Sequence, residues 1–170
     1  MGTRQKDRDV PPPTAPWHEI TTGLWMGGHN WVDGAGQPRP AVVTDQFEVV
    51  VSLHVEPGHG PSVDVEHHVL EIPDAPLTSE QIDGVGRLAD LVTTAMRDRR
   101  SVLVRCQAGY NRSGLVVAQA LINQGHEPAA AIELIRRRRS QWALHNLTFE
   151  DYLLAGLDVA YLLVGLGSCA

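Results

Sequence analysis

One stretch constrains this chain more than any other: Val102-Leu103-Val104-Arg105-Cys106-Gln107-Ala108-Gly109-Tyr110-Asn111-Arg112-Ser113-Gly114. The apolar run Val102 to Val104 predicts a buried strand. It ends at a cysteine, from which a tight glycine-bearing loop leads to an arginine. Leu115 to Ile122 follows as an apolar helix closed by Gly125. Strand, loop and helix set the backbone N–H groups of residues 107–112 at a helix N-terminus, where they can face an anion. A thiol at the mouth of that loop stands in the same positive field, which favours thiolate. Arg112 adds a planar fork that fits two phosphate oxygens.

Here the chain resembles the cysteine-dependent protein tyrosine phosphatases, whose signature is Cys-x5-Arg followed by Ser or Thr; Cys106, Arg112 and Ser113 match it. Ala108-Gly109 and the short chain point to the dual-specificity branch. Cys-x5-Arg alone is a weak signal. The preceding strand, Gly109, Ser113-Gly114 and the apolar helix make it specific, against the alternative of a structural cysteine in an ordinary strand–turn–helix crossover. The resemblance covers roughly residues 17–165. It implies Cys106 as nucleophile, and a phosphate cradle of Gln107, Ala108, Gly109, Tyr110, Asn111 and Arg112. It also implies that Ser113 hydrogen-bonds the departing thiolate.

Such chemistry also needs an acid to protonate the leaving oxygen. Asp74 ends an extended run and sits in a loop stiffened by Pro73 and Pro76. The related enzymes carry their acid at this place, so the role falls to Asp74, with Asp83 and Asp64 as fallbacks. Arg136 and Arg139 fall where similar phosphatases carry Arg-x-x-Arg, so one of them is a candidate to border the cleft. The other arginines of the 136–139 run read as a solvated helix end.

The length suits one domain, and 43% apolar residues can build a core. Residues 1–16 are polar and proline-rich and read as a disordered arm, residues 17–165 as the catalytic domain, and 166–170 as a tail. The arm has no signal-peptide pattern. Cys106 and Cys169 suggest no disulfide framework, and a reactive thiol fits a reducing cytoplasm. A net charge of −6 argues against a general nucleic-acid or anionic-membrane binder.

Strands are predicted at 18–20, 24–26, 47–53 and 67–73. Residues 27–40 read as a Gly/Pro surface loop. His67 and His68 are adjacent on a strand and point apart, so they make a poor chelate. Thr78-x-x-Gln81 is a capping box, and an apolar stripe from Ile82 to Met96 follows it. Further helices are predicted from Pro128 and over 146–166; the latter is too charged to span a membrane. Alternating strands and helices give an α/β fold. The resemblance implies a mainly parallel sheet flanked by helices in three layers.

The function so implied is metal- and cofactor-free hydrolysis of phosphotyrosine in a protein substrate through a phosphocysteine intermediate. Phosphoserine and phosphothreonine stay open. The alternatives are an RNA or nucleotide 5′-phosphatase, to whose loop Gly-x-Asn-Arg-Ser-Gly is similar, and a phosphate-binding pseudophosphatase. One residue departs from the family: Arg105 stands before the nucleophile where His is usual. A cation beside the thiol would still favour thiolate. No feature fixes the oligomeric state.

Overall fold

The computed structural model describes residues 10–167. Most of the expected arm (1–9) and residues 168–170, with Cys169, lie outside the described residues. In chain order the elements are β1 (Trp17–Thr21), β2 (Leu24–Gly27), β3 (Asn30–Val32), β4 (Pro38–Pro40), β5 (Val49–Ser52) and β6 (Glu66–Val69). Then come α1 (Ser79–Arg97), β7 (Val102–Arg105), α2 (Arg112–Asn123), α3 (Pro128–Arg138), α4 (Leu147–Ala155) and α5 (Leu157–Gly167).

The main sheet runs β1-β2-β7-β5-β6. Only β1 is antiparallel, joined to β2 by a hairpin whose Gly23 takes φ +81°. The central strand β7 pairs in parallel with β2 and β5, so Arg105 at its end lies level with Gly27 and Ser52. Val102 and Val104 face the helices together with Val49 and Val51. Leu103 and Val50 face the opposite side, under Val43, Phe47, Trp17 and Trp25. Helices, sheet and this cover make three layers. Burial of each such aliphatic contributes about 1.5–3 kcal/mol, so β7 is anchored on both faces and fixes where its C-terminal end points.

The capping box forms as expected: Gln81 N donates to Thr78 Oγ1 (3.2 Å), and Thr78 N to Gln81 Oε1 (2.9 Å). Four expectations need correction. The 27–40 segment is not a plain surface loop, because β3 and β4 pair as a second sheet and His29 is fully buried. The single helix over 146–166 is two, divided at Gly156, whose φ of +96° no side-chain-bearing residue adopts comfortably. The 67–73 strand stops at Val69. Residues 10–16, expected within a disordered arm, are tied down. Pro11 O accepts from Tyr110 Oη (3.0 Å), Pro13 O from Val32 N (2.8 Å), and Pro16 O from Gly28 N (3.1 Å).

Candidate active site

β7 delivers Cys106 to the C-terminal edge of the sheet, where ligands bind in open α/β folds. Strand alternation turns it to the helix face, like Val104, and it is buried (2% exposed). Its Sγ lies 3.3 Å from Ser113 Oγ.

Between Cys106 and α2 every loop carbonyl is held by the surrounding body. Gln107 O accepts from His29 N (2.8 Å), Ala108 O from Arg139 Nη2 (3.1 Å), and Gly109 O from Arg139 Nε (3.1 Å). Tyr110 O accepts from Leu144 N (3.0 Å) and Asn111 O from Leu115 N (2.9 Å). A trans peptide sends its N–H opposite to its carbonyl. The outward carbonyls therefore turn the N–H groups of residues 108–112 inward. Among the described residues, the N–H groups of 107–112 meet no acceptor. The loop approaches β2 so closely that it needs glycine twice. Gly109 (φ +75°) has no room for a Cβ against Gly27, and a Cβ on Gly28 would sit 2.6 Å from Gln107 O.

Arg112 donates from Nη1 to Ile72 O (3.2 Å), while its buried Nε has no hydrogen-bond partner among the described residues. An unpaired buried donor is costly, and a phosphoryl oxygen would satisfy it. Cradle and arginine together fit a tetrahedral dianion. Among the described residues no set of His, Cys, Asp and Glu is arranged to hold a metal.

The loop bearing Asp74 is clamped to this cradle. Asp74 Oδ2 accepts from Asn111 Nδ2 (2.9 Å) and Oδ1 from Asn146 Nδ2 (2.8 Å). Asn146 N donates in turn to Asn111 Oδ1 (3.0 Å). Further along, Leu77 N donates to the buried Tyr152 Oη (3.0 Å). The fallback acids lie elsewhere: Asp83 pairs with Arg87 on α1, and Asp64 is exposed in the turn before β6.

The two singled-out arginines of α3 part company. Arg136 packs outward on Ala143 O, Leu144 O and Glu150. Arg139 is buried behind the loop and holds Ala15 O (2.9 Å) as well as the loop carbonyls. Burial pushes its guanidinium down to about 10, with Tyr110 and Cys106 pulling the other way, so it stays charged at neutral pH. Arg105 differs from the sequence expectation. Its side chain takes the face opposite Cys106, fully buried, and donates to Ser52 Oγ (3.1 Å), His59 O (3.0 Å) and Gly60 O (2.5 Å). Burial among these neutral acceptors lowers it to about 10. It is an anchor for the 54–61 loop rather than a neighbour of the thiol.

A family model described as "Dual specificity phosphatase, catalytic domain" matches residues 46–156. The chain belongs to the dual specificity phosphatase family. Its fold is that of solved family structures. A mouse putative dual specificity phosphatase complexed with zinc tungstate is 21% identical, with TM-score 0.66 over 94% of this chain and 93% of that one. Human DUSP28 is 18% identical, with TM-score 0.65 over 85% and 94%. OH1 from the Orf virus, a tyrosine phosphatase with triple substrate specificity, is 17% identical, with TM-score 0.58 over 89% and 92%. No curated protein sequence matches the chain.

Sequence reasoning missed several residues that shape this phosphatase site. Asn146 was visible only as a helix start. His145, whose Nε2 meets Asn111 Nδ2 at 3.2 Å, carried no signal. Val10 to Pro13 border a cleft of about 520 Å³ that adjoins Asp74, Gln107, Ala108 and Tyr110. The triple proline was the only cue to them.

Proposed function

We propose that this domain hydrolyses phosphomonoesters, foremost phosphotyrosine in proteins, through a phosphocysteine intermediate. The observation that carries the reading is the tethering of every carbonyl from Gln107 to Asn111, which presents inward N–H groups above a buried cysteine. Preorganised donors of this kind stabilise the charge of the transferring phosphoryl group without reorganising during reaction.

Cys106 Sγ, as thiolate, bonds to phosphorus while the ester oxygen leaves with a proton from Asp74. Arg112 and the loop N–H groups carry the equatorial oxygens. A water then attacks the phosphocysteine and gives its proton to Asp74. The S–P bond breaks, inorganic phosphate departs, and Ser113 Oγ hydrogen-bonds the restored thiolate. Asp74 favours monoesters over anhydrides, because a phosphoanhydride already has a good leaving group and needs no acid.

The test is hydrolysis of an aryl phosphate, with EDTA present, by wild type, Cys106→Ser and Asp74→Asn. Vanadate-sensitive turnover should vanish in Cys106→Ser and fall roughly 10²-fold or more in Asp74→Asn. Activity that survives Cys106→Ser would sink the proposal. An undiminished Asp74→Asn enzyme would move the reading to an RNA or nucleotide anhydride.

A further inference from the structure

The acid marks where the leaving group must lie. Asp74 lines the 520 Å³ cleft beside the loop, together with Gln107, Ala108, Tyr110 and His145. The group attached to the scissile oxygen therefore occupies this cleft, provided Asp74 is the acid as proposed above. Val10-Pro11-Pro12-Pro13 forms another part of its wall, together with Trp31 and Val32. Among the described residues, neither lysine nor arginine lines the cleft. A polyanionic leaving group, such as a nucleoside diphosphate or an inositol phosphate, would find no countercharge from them.

The wall is held rather than loose. Pro11 O accepts from the buried Tyr110 Oη (3.0 Å), Pro13 O from Val32 N (2.8 Å), and Ala15 O from Arg139 Nη1 (2.9 Å). Consecutive prolines restrict φ and carry no N–H. This strap therefore meets a ligand with ring methylenes and does so with little ordering cost. A cleft of this size, lined by apolar residues with a few polar groups among them, is within the range of small-ligand sites.

We propose that the Val10–Pro13 strap is the specificity-determining wall of the site, and that it takes the aromatic ring of an aryl phosphate. An alkyl phosphate such as phosphoserine would leave the wall uncovered. The strap then acts on the leaving group, and its links to the cradle, Pro11 O to Tyr110 Oη and Ala15 O to Arg139, are backbone carbonyls that glycine at positions 11 and 12 retains.

The experiment measures calorimetric affinities of phenylphosphonate and methylphosphonate for wild type, Pro11→Gly/Pro12→Gly and Trp31→Ala, with unfolding temperatures recorded. Wild type should prefer the phenyl probe. Loosening the strap should cut that preference about tenfold while methylphosphonate binding holds. An unchanged phenyl-to-methyl ratio, or equal loss of both probes in a folded variant, overturns the wall; so does a wild type without phenyl preference. Because these probes are not hydrolysed, the result stands apart from the turnover test. An enzyme inert towards aryl phosphate but strap-dependent in phenyl binding would refute the reaction and keep the wall.

Discussion

Ser113 opens the second turn of the reaction. Its hydroxyl is fully buried and lies 3.3 Å from Cys106 Sγ, on the first turn of α2. In the proposed sequence this hydrogen bond matters most when the S–P bond breaks and sulfur regains its charge. A hydrogen bond to a charged partner is worth about 1.5–3 kcal/mol, which corresponds to roughly 10–150-fold in rate. Ser113→Ala should therefore lower kcat by that factor while leaving the first chemical step nearly intact. Rapid mixing with an aryl phosphate should show a burst of phenol close to one equivalent of enzyme, and phosphoenzyme should be trappable by acid. Slowing of the burst itself to the same degree would assign Ser113 to cysteine activation instead.

At the scale of elements, the phosphate loop is shaped from behind by the end of α3. Arg139 spans the carbonyls of Ala108, Gly109 and Ala15, so one planar fork sets the loop and the root of the strap together. Lysine would keep the charge without the fork. Both Arg139→Ala and Arg139→Lys should cut kcat/KM on an aryl phosphate by about 10²-fold, since small misplacement of catalytic groups costs that much. Vanadate inhibition should weaken in parallel. Full recovery by Arg139→Lys would mean that charge alone is at work. This contact shows why some of the site was legible and some was not. The Cys106–Gly114 stretch and the Thr78–Gln81 cap are local, and local chemistry can be read along the chain. Arg139, Asn146 and Pro11 act across more than thirty residues of sequence, where spacing carries no information. The face taken by Arg105 was readable from strand alternation with Leu103. What covers that face was not, because His59 and Gly60 come from a loop without a period.

Across the whole molecule, His29 joins two parts that the sheet alone would leave independent. Its backbone N holds the phosphate loop at Gln107 O, and its ring holds the 54–59 segment. Nε2–H donates to His54 O (2.7 Å), which leaves Nδ1 to accept from His59 Nδ1–H at 3.3 Å. A proton on Nδ1 would place a charge in a fully buried site and require His59 to shift its own proton to Nε2. Burial first, then the charges of Arg105 and His59, push His29 down to about 4 from 6.5, against the opposing pull of His54 O and Glu56. In the unfolded chain His29 takes up its proton near pH 6.5; in the folded chain it does so only near 4. The stability this gives is complete above about 6.5 and is lost as the pH falls towards 4, by up to roughly 3 kcal/mol. His18 and His67, also lowered by burial, act in the same direction. Asp33 and Glu66, lowered mainly by their hydrogen bonds, lose stability only at the acid end of that range and below it. Urea unfolding at pH 7, 6, 5 and 4 should show wild type weakening steadily. His29→Asn should be less stable at pH 7 but should weaken distinctly less between pH 6.5 and 4. Parallel curves for the two proteins would place the acid sensitivity elsewhere than at His29.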